Sequence, residues 1–233
     1  MTRMRFLNSS TMKNLRIAVL AISAFLAFSC ATAKYSAGVS PEVMEPMAVI
    51  EPIADIYYYE DSYHPGEFSS ELSVKSAEAL SQAIKAVFPQ AKDVLMADMS
   101  DNPDDVVQQI VWINSFIPAQ SNVPVPPSIR RLLLQEGYRY GVLAFHTGFT
   151  MNPKSYRREL ALGLTLGLAT ALITLGYLTL YSVPQRYGSD IYLMVVDAQE
   201  DKILFFEHPG QSESDPLSLK HLTKRLARMK RHF

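Results

Sequence analysis

Apolar positions along this chain fall into three patterns, and each predicts a different kind of element. The first is an apolar run from Ile17 to Phe28, interrupted only by Ser23, preceded by Lys13 and Arg16 and followed by Ser29, Cys30 and Ala31. A basic start, about a dozen apolar residues and a small-residue exit predict an N-terminal signal helix that serves as an export address, because the run is too short to span a bilayer comfortably. The second pattern is short and alternating or β-branched. It predicts strands at Met47 to Tyr59, Asp93 to Ala97, Tyr138 to Phe149, Asp190 to Asp197 and Lys202 to His208, the last two joined by the polar turn Ala198 to Asp201 into a hairpin. Pro52 argues for an edge position or a break in the first of these. The third pattern has helical spacing. Leu72, Lys75, Ser76, Ala79, Leu80, Ala83, Ile84 and Val87 form one stripe, capped by Ser69 or Ser70 and ended by Pro89. Asn102 with Pro103 and two aspartates opens a helix over 104–116, and Ser128 to Glu136 is a short helix stopped by Gly137.

These elements predict an α+β fold, a mixed β-sheet with helices packed mainly on one face. Residues 1–30 are the signal, 31–46 a flexible tether of Ser, Ala, Gly, Pro and Glu, and 47–233 a single domain.

One stretch stands outside this scheme. From Leu160 to Val183 the chain carries no formal charge, long enough at helical rise to cross the hydrocarbon of a bilayer. Gly163, Gly167 and Ala171 recur every four residues, as in close helix packing, with Tyr177 and Tyr181 near one end and Arg157 and Arg158 near the other as interface anchors. Leu160, Gly163, Gly167, Ala171, Tyr177 and Tyr181 are therefore candidate membrane or partner contacts. A single crossing has a topological cost: it puts the strand ending near Phe149 and the hairpin starting near Asp190 on opposite sides of the membrane, where they cannot share a sheet. The insertion is accordingly expected to fold back and leave the sheet complete on one side. The alternative is an inner-membrane protein with two transmembrane helices, near 17–33 and 160–183, serving as a structural or transport-associated subunit.

The last segment, 215–233, opens with Asp215 and Pro216 and continues as an amphipathic helix. Leu219, Leu222, Leu226 and Met229 form one face. Lys220, Lys224, Arg225, Arg228, Lys230 and Arg231 form a basic surface that suits anionic headgroups or an acidic partner, or that complements the helix dipole and stays solvated.

With 22 Lys and Arg against 23 Asp and Glu, the charge balance implies neither disorder nor general nucleic-acid binding. Cys30 is the chain's one cysteine, so no disulfide and no thiolate metal site is available to the exported part. The five histidines are scattered, without H-E-x-x-H or paired zinc spacing, and neither a nucleophile elbow nor a phosphate loop occurs. No catalytic, metal or cofactor site is expected, and the chain is not expected to be an enzyme.

Leu26 to Cys30 resembles the lipobox of bacterial lipoproteins, in which the cysteine is lipidated, although Leu26 stands one step early. Ordinary cleavage after Ala33 also fits, and discards Cys30. Gly137 to Leu143, Thr147 to Thr150, and Tyr192 to Asp197 followed by Lys202 to Phe206 resemble small cell-envelope lipoproteins akin to the curli-secretion and penicillin-binding-protein-activator lipoproteins. The Gly-Phe-Thr signature is similar to that of cell-envelope lipoproteins of gut Bacteroidetes. This chain departs from them in lacking the usual glycine in the final turn and in carrying the apolar insertion. The resemblance implies a lipoprotein anchored through Cys30 with its domain in the periplasm, at the outer membrane rather than the inner. Its role is then a non-catalytic binding or assembly module whose partners are membrane lipid and an envelope protein, not nucleic acid.

Overall fold

The computed structural model describes residues 33–38, 40, 44–95, 108–110, 113, 123–174 and 183–233. The signal segment and Cys30 lie outside the described residues. Among those described, eight strands form one mixed sheet: β1 (Ala33–Ser36), β2 (Met47–Ile50), β3 (Ile53–Tyr59), β4 (Glu67–Phe68), β5 (Lys92–Val94), β6 (Tyr140–Met151), β7 (Tyr187–Asp197) and β8 (Lys202–His208). Four named helices accompany them: α1 (Ser70–Val87), α2 (Pro127–Gln135), α3 (Pro153–Ile173) and α4 (Leu219–Lys230). Residues 108–110 and 113 are also helical, and the rest of the helix expected over 104–116 lies outside the described residues.

The spine of the sheet is β6. On one side it pairs antiparallel with β7 over its whole length, from Tyr140 opposite Asp197 to Thr150 opposite Tyr187. On the other it pairs in parallel first with β2, Met47 opposite Tyr140, and then with β3, Ile53 opposite Phe145. The single strand expected over 47–59 is thus two, broken at Glu51 and Pro52, because proline has no amide hydrogen to give a ladder. Outward from β7 lie β8 and then β1, both antiparallel. Beyond β2 lies β5, in parallel.

Two expectations are corrected here. Residues 31–46 are not all tether: Ala33 to Ser36 are a strand, and Ala33 pairs with His208. The helices are also not mainly on one face. α1 and α4 cover one face, where Leu80, Ala83, Ile84, Leu222, Leu226 and Met229 meet Val142, Ala144, Ile191, Leu193 and Phe205. α2 covers the other, where Ile129, Leu132 and Leu133 meet Leu143, Phe145, Met194, Val196 and Phe206. The physical reason is visible in β6 itself, where Gly141 to His146 are buried without interruption. A strand that buries successive residues is covered on both sides, since neighbouring side chains point to opposite faces. Gly141 marks the closeness of α2: a Cβ there would lie 2.5 Å from Cδ1 of Leu133.

The stretch between β6 and β7 leaves and returns at one point. The Met151 N–H donates to the Arg186 carbonyl at 2.9 Å, directly above the last pair of the β6–β7 ladder. Its flanks are neighbours in one sheet, so they cannot lie on opposite sides of a membrane. No helix among the described residues is long and apolar enough to cross one. The helix within the insertion runs over Pro153–Ile173 rather than 160–183, and residues 175–182 lie outside the described residues.

Candidate contact surfaces

Helix α3 begins at the top of β6. The Asn152 side chain caps it, accepting from the Lys154 N–H at 2.9 Å, and Pro153 occupies the first turn, where its missing amide hydrogen costs nothing. The base is tied to the β3–β4 loop. Buried Glu159 accepts from the Ser62 N–H at 3.0 Å, Arg158 approaches Asp61 at 4.0 Å, and Asn152 donates to Glu60 at 2.9 Å. Beyond Glu159 the character changes. Gly163 and Gly167 are buried and Leu160 and Ala171 half-buried, whereas Leu162, Leu164, Leu166, Leu168, Leu172 and Ile173 are exposed, Ile173 to 81%. Tyr177 and Tyr181 lie outside the described residues.

Helix α4 divides its cations in two. Lys220, Lys224, Arg228 and Arg231 are exposed. Arg225 turns inward, donating to the carbonyls of Ser189 (2.8 Å) and Gly210 and to the Ser212 hydroxyl, and so clamps the loop after β8; burial lowers its pKa. Lys230 donates to the Val87 carbonyl at 2.7 Å and stands 5.0 Å from the Phe88 ring centre, joining α4 to the end of α1. Between α4 and the clamped loop runs a groove of about 320 Å³ bordered by His221, Lys224 and Arg228. The sequence placed all six cations on one basic surface; the structure assigns Arg225 and Lys230 to packing. Nothing in helical spacing alone foretold that split, because both residues point past the apolar stripe to partners distant in the chain.

The polar centre of the domain is His146, fully buried on β6. Its Nδ1 lies 2.8 Å from the Ser76 Oγ on α1 and its Nε2 2.8 Å from the Ser189 Oγ on β7. Ser76 donates its one hydroxyl hydrogen to the Pro216 carbonyl at 3.2 Å. It therefore accepts from Nδ1–H, and Ser189 donates to Nε2. Burial, reinforced by the positive charge of Arg225 and opposed by Asp190, depresses the pKa of His146 to about 4. The imidazole is neutral, with both nitrogens hydrogen-bonded and the ring out of contact with solvent. It serves as a bolt between α1, β6 and β7. Nearby, His208 lies 2.8 Å from both oxygens of Asp190 and stacks on Tyr192 at 4.0 Å between ring centres. Among the described residues, no group of three or more His, Cys, Asp or Glu is placed to hold a metal ion.

No protein-family model and no curated protein matches the chain. Among solved structures it is loosely similar to the PelC dodecamer from Paraburkholderia phytofirmans, at TM-score 0.37 and 8% identity over 86% of this chain and 96% of that one. It is also loosely similar to the LpoB C-terminal domain from Salmonella enterica (0.33, 9%, 77% and 88%). A DUF4136 family protein from Bacteroides thetaiotaomicron gives 0.30 and 6% over 84% and 95%.

Proposed function

We propose that this chain is a non-catalytic module of a bacterial cell envelope, anchored to a membrane through Cys30, whose α+β body binds or helps assemble other envelope components from the periplasmic side of the outer membrane. One observation carries the reading. The domain's chemically distinctive surfaces are two outward-facing helices, apolar α3 and basic α4, while the histidine most favourably placed for acid–base work is sealed between two serines. Large exposed apolar surface on a folded domain marks a site of contact. The export pattern before Cys30 supports delivery to the envelope. The ladder between β6 and β7 supports the fold-back arrangement over the two-helix inner-membrane alternative.

The test is metabolic labelling with a palmitate analogue, comparing the native chain with Cys30→Ala, together with protease treatment of spheroplasts carrying a C-terminal tag. Label that depends on Cys30, and a tag degraded from outside, are the expected results. An unlabelled chain free in the periplasm, or a tag protected in the cytosol, refutes the reading.

A further inference from the structure

We propose that α3 is immersed in the hydrocarbon of the membrane on which the domain sits, entering and leaving through one leaflet. This rests on the envelope reading above and adds to it a second membrane contact that does not depend on Cys30.

The side chains of α3 choose lipid over a protein groove. At about 100° per residue, the exposed positions Ala161, Leu162, Leu164, Thr165, Leu166, Leu168, Ala169, Leu172 and Ile173 sweep roughly 200° of the circumference. A helix seated in a groove buries a stripe about half as wide; a solvent that wraps the helix covers the whole arc. The hydroxyls agree. Thr165 donates to the Ala161 carbonyl at 2.8 Å, Thr170 to Leu166 at 2.9 Å and Thr174 to Thr170 at 2.7 Å. Each is satisfied one turn back along its own helix, as a dry surrounding demands.

The geometry of entry matches. Both ends of the excursion meet where Met151 bonds to Arg186. Lys154 and Arg157, exposed at the start of the helix, sit where anionic headgroups would lie. The described apolar part, Leu160 to Ile173, rises about 21 Å, and both flanks of the excursion return to the same sheet, so it dips rather than spans.

The test uses the full-length chain with Cys30→Ser, which removes both the anchor and the only native thiol. A cysteine carrying an environment-sensitive fluorophore is placed by Leu168→Cys or, as control, Val74→Cys on α1, both exposed in the fold. Vesicles of phosphatidylcholine and phosphatidylglycerol with brominated acyl chains should quench the label at 168 and leave the one at 74 unchanged. Leu164→Asn, Leu168→Asn and Leu172→Asn together should weaken vesicle binding by at least about a hundredfold without moving the unfolding midpoint, because all three are exposed. A label at 168 as wet as that at 74, vesicle binding untouched by the triple replacement, or a concentration-dependent dimer in place of vesicle binding overturns the proposal. If Cys30 takes no palmitate analogue in cells and the label at 168 is still quenched, the anchor falls and the immersion of α3 stands.

Discussion

His146→Gln isolates the energetic cost of carrying a titratable ring in the core. Glutamine keeps one donor and one acceptor for Ser76 and Ser189 but cannot take up a proton in the working pH range. In the native chain the histidine pKa falls from the usual 6.5 to about 4, so the unfolded chain binds the proton first. Stability is complete well above 6.5 and is lost as the pH drops toward 4, because the unfolded state gains protons the folded state refuses. The shift amounts to roughly 3 kcal/mol once both states are titrated, of which about 2 kcal/mol falls between about pH 7 and about pH 5. Urea unfolding of the native chain and of His146→Gln at several pH values within that window reads the difference directly. Other groups contribute to both curves and cancel in the comparison. The native chain should lose about 2 kcal/mol more than the variant on acidification. Parallel pH curves, or a histidine NMR titration placing His146 near its ordinary midpoint, refute the buried, serine-bonded description.

Gly148→Ala should destabilise by about 1–3 kcal/mol, since a Cβ there would meet the Gly188 carbonyl oxygen at 2.5 Å, backbone that the β6–β7 ladder holds in place; chemical denaturation checks it. Asp197→Ala should cost about 2–3 kcal/mol, because its buried carboxylate accepts from the amides of Gln199 and Glu200 at 3.0 Å and from Arg139 at 2.8 and 2.9 Å. Hydrogen exchange at the β7–β8 turn should rise in parallel. Leu222→Ala, at 1% exposure on α4, should cost about 2–5 kcal/mol, whereas Lys224→Ala two residues on, exposed and outside the apolar stripe, should shift stability by less than about 0.5 kcal/mol; thermal unfolding separates the two.

Local chemistry made most elements legible. Lys202 to His208 was readable as a strand and is β8 to the residue, and of the two serines readable as a cap, Ser69 and Ser70, it is Ser69 that accepts from the Leu72 N–H at 3.4 Å. The signal for a two-sided sheet was also present, in the consecutive apolar residues Ile191 to Val196 of β7 and Ile203 to Phe206 of β8, which leave no polar face to turn toward water. It was obscured by the shortness of α2, whose four buried residues are too few for periodicity to stand out. β1 was illegible, since the alternation of Ala33 and Tyr35 with Lys34 and Ser36 is only four residues long, too short to stand out; the segment is a strand because β8 offers an open edge. The contact surfaces divided the same way. The lack of charge after Glu159 pointed to α3 without reference to any partner, but the inward turn of Arg225 depends on carbonyls at Ser189 and Gly210 that only the tertiary structure brings near.

The hydrogen bond that closes Met151 onto Arg186 has an architectural consequence. Along the β6–β7 ladder the excursion opens and closes at a neck as narrow as an ordinary hairpin, so a two-residue Asn-Gly turn in place of 152–185 would leave that ladder intact and give up only the contacts of Asn152, Arg158 and Glu159 to the β3–β4 loop. The stem is therefore a mounting point: an engineer can place a different appendage on it, provided the new base replaces the contacts that Asn152 and Glu159 make to the neighbouring loop.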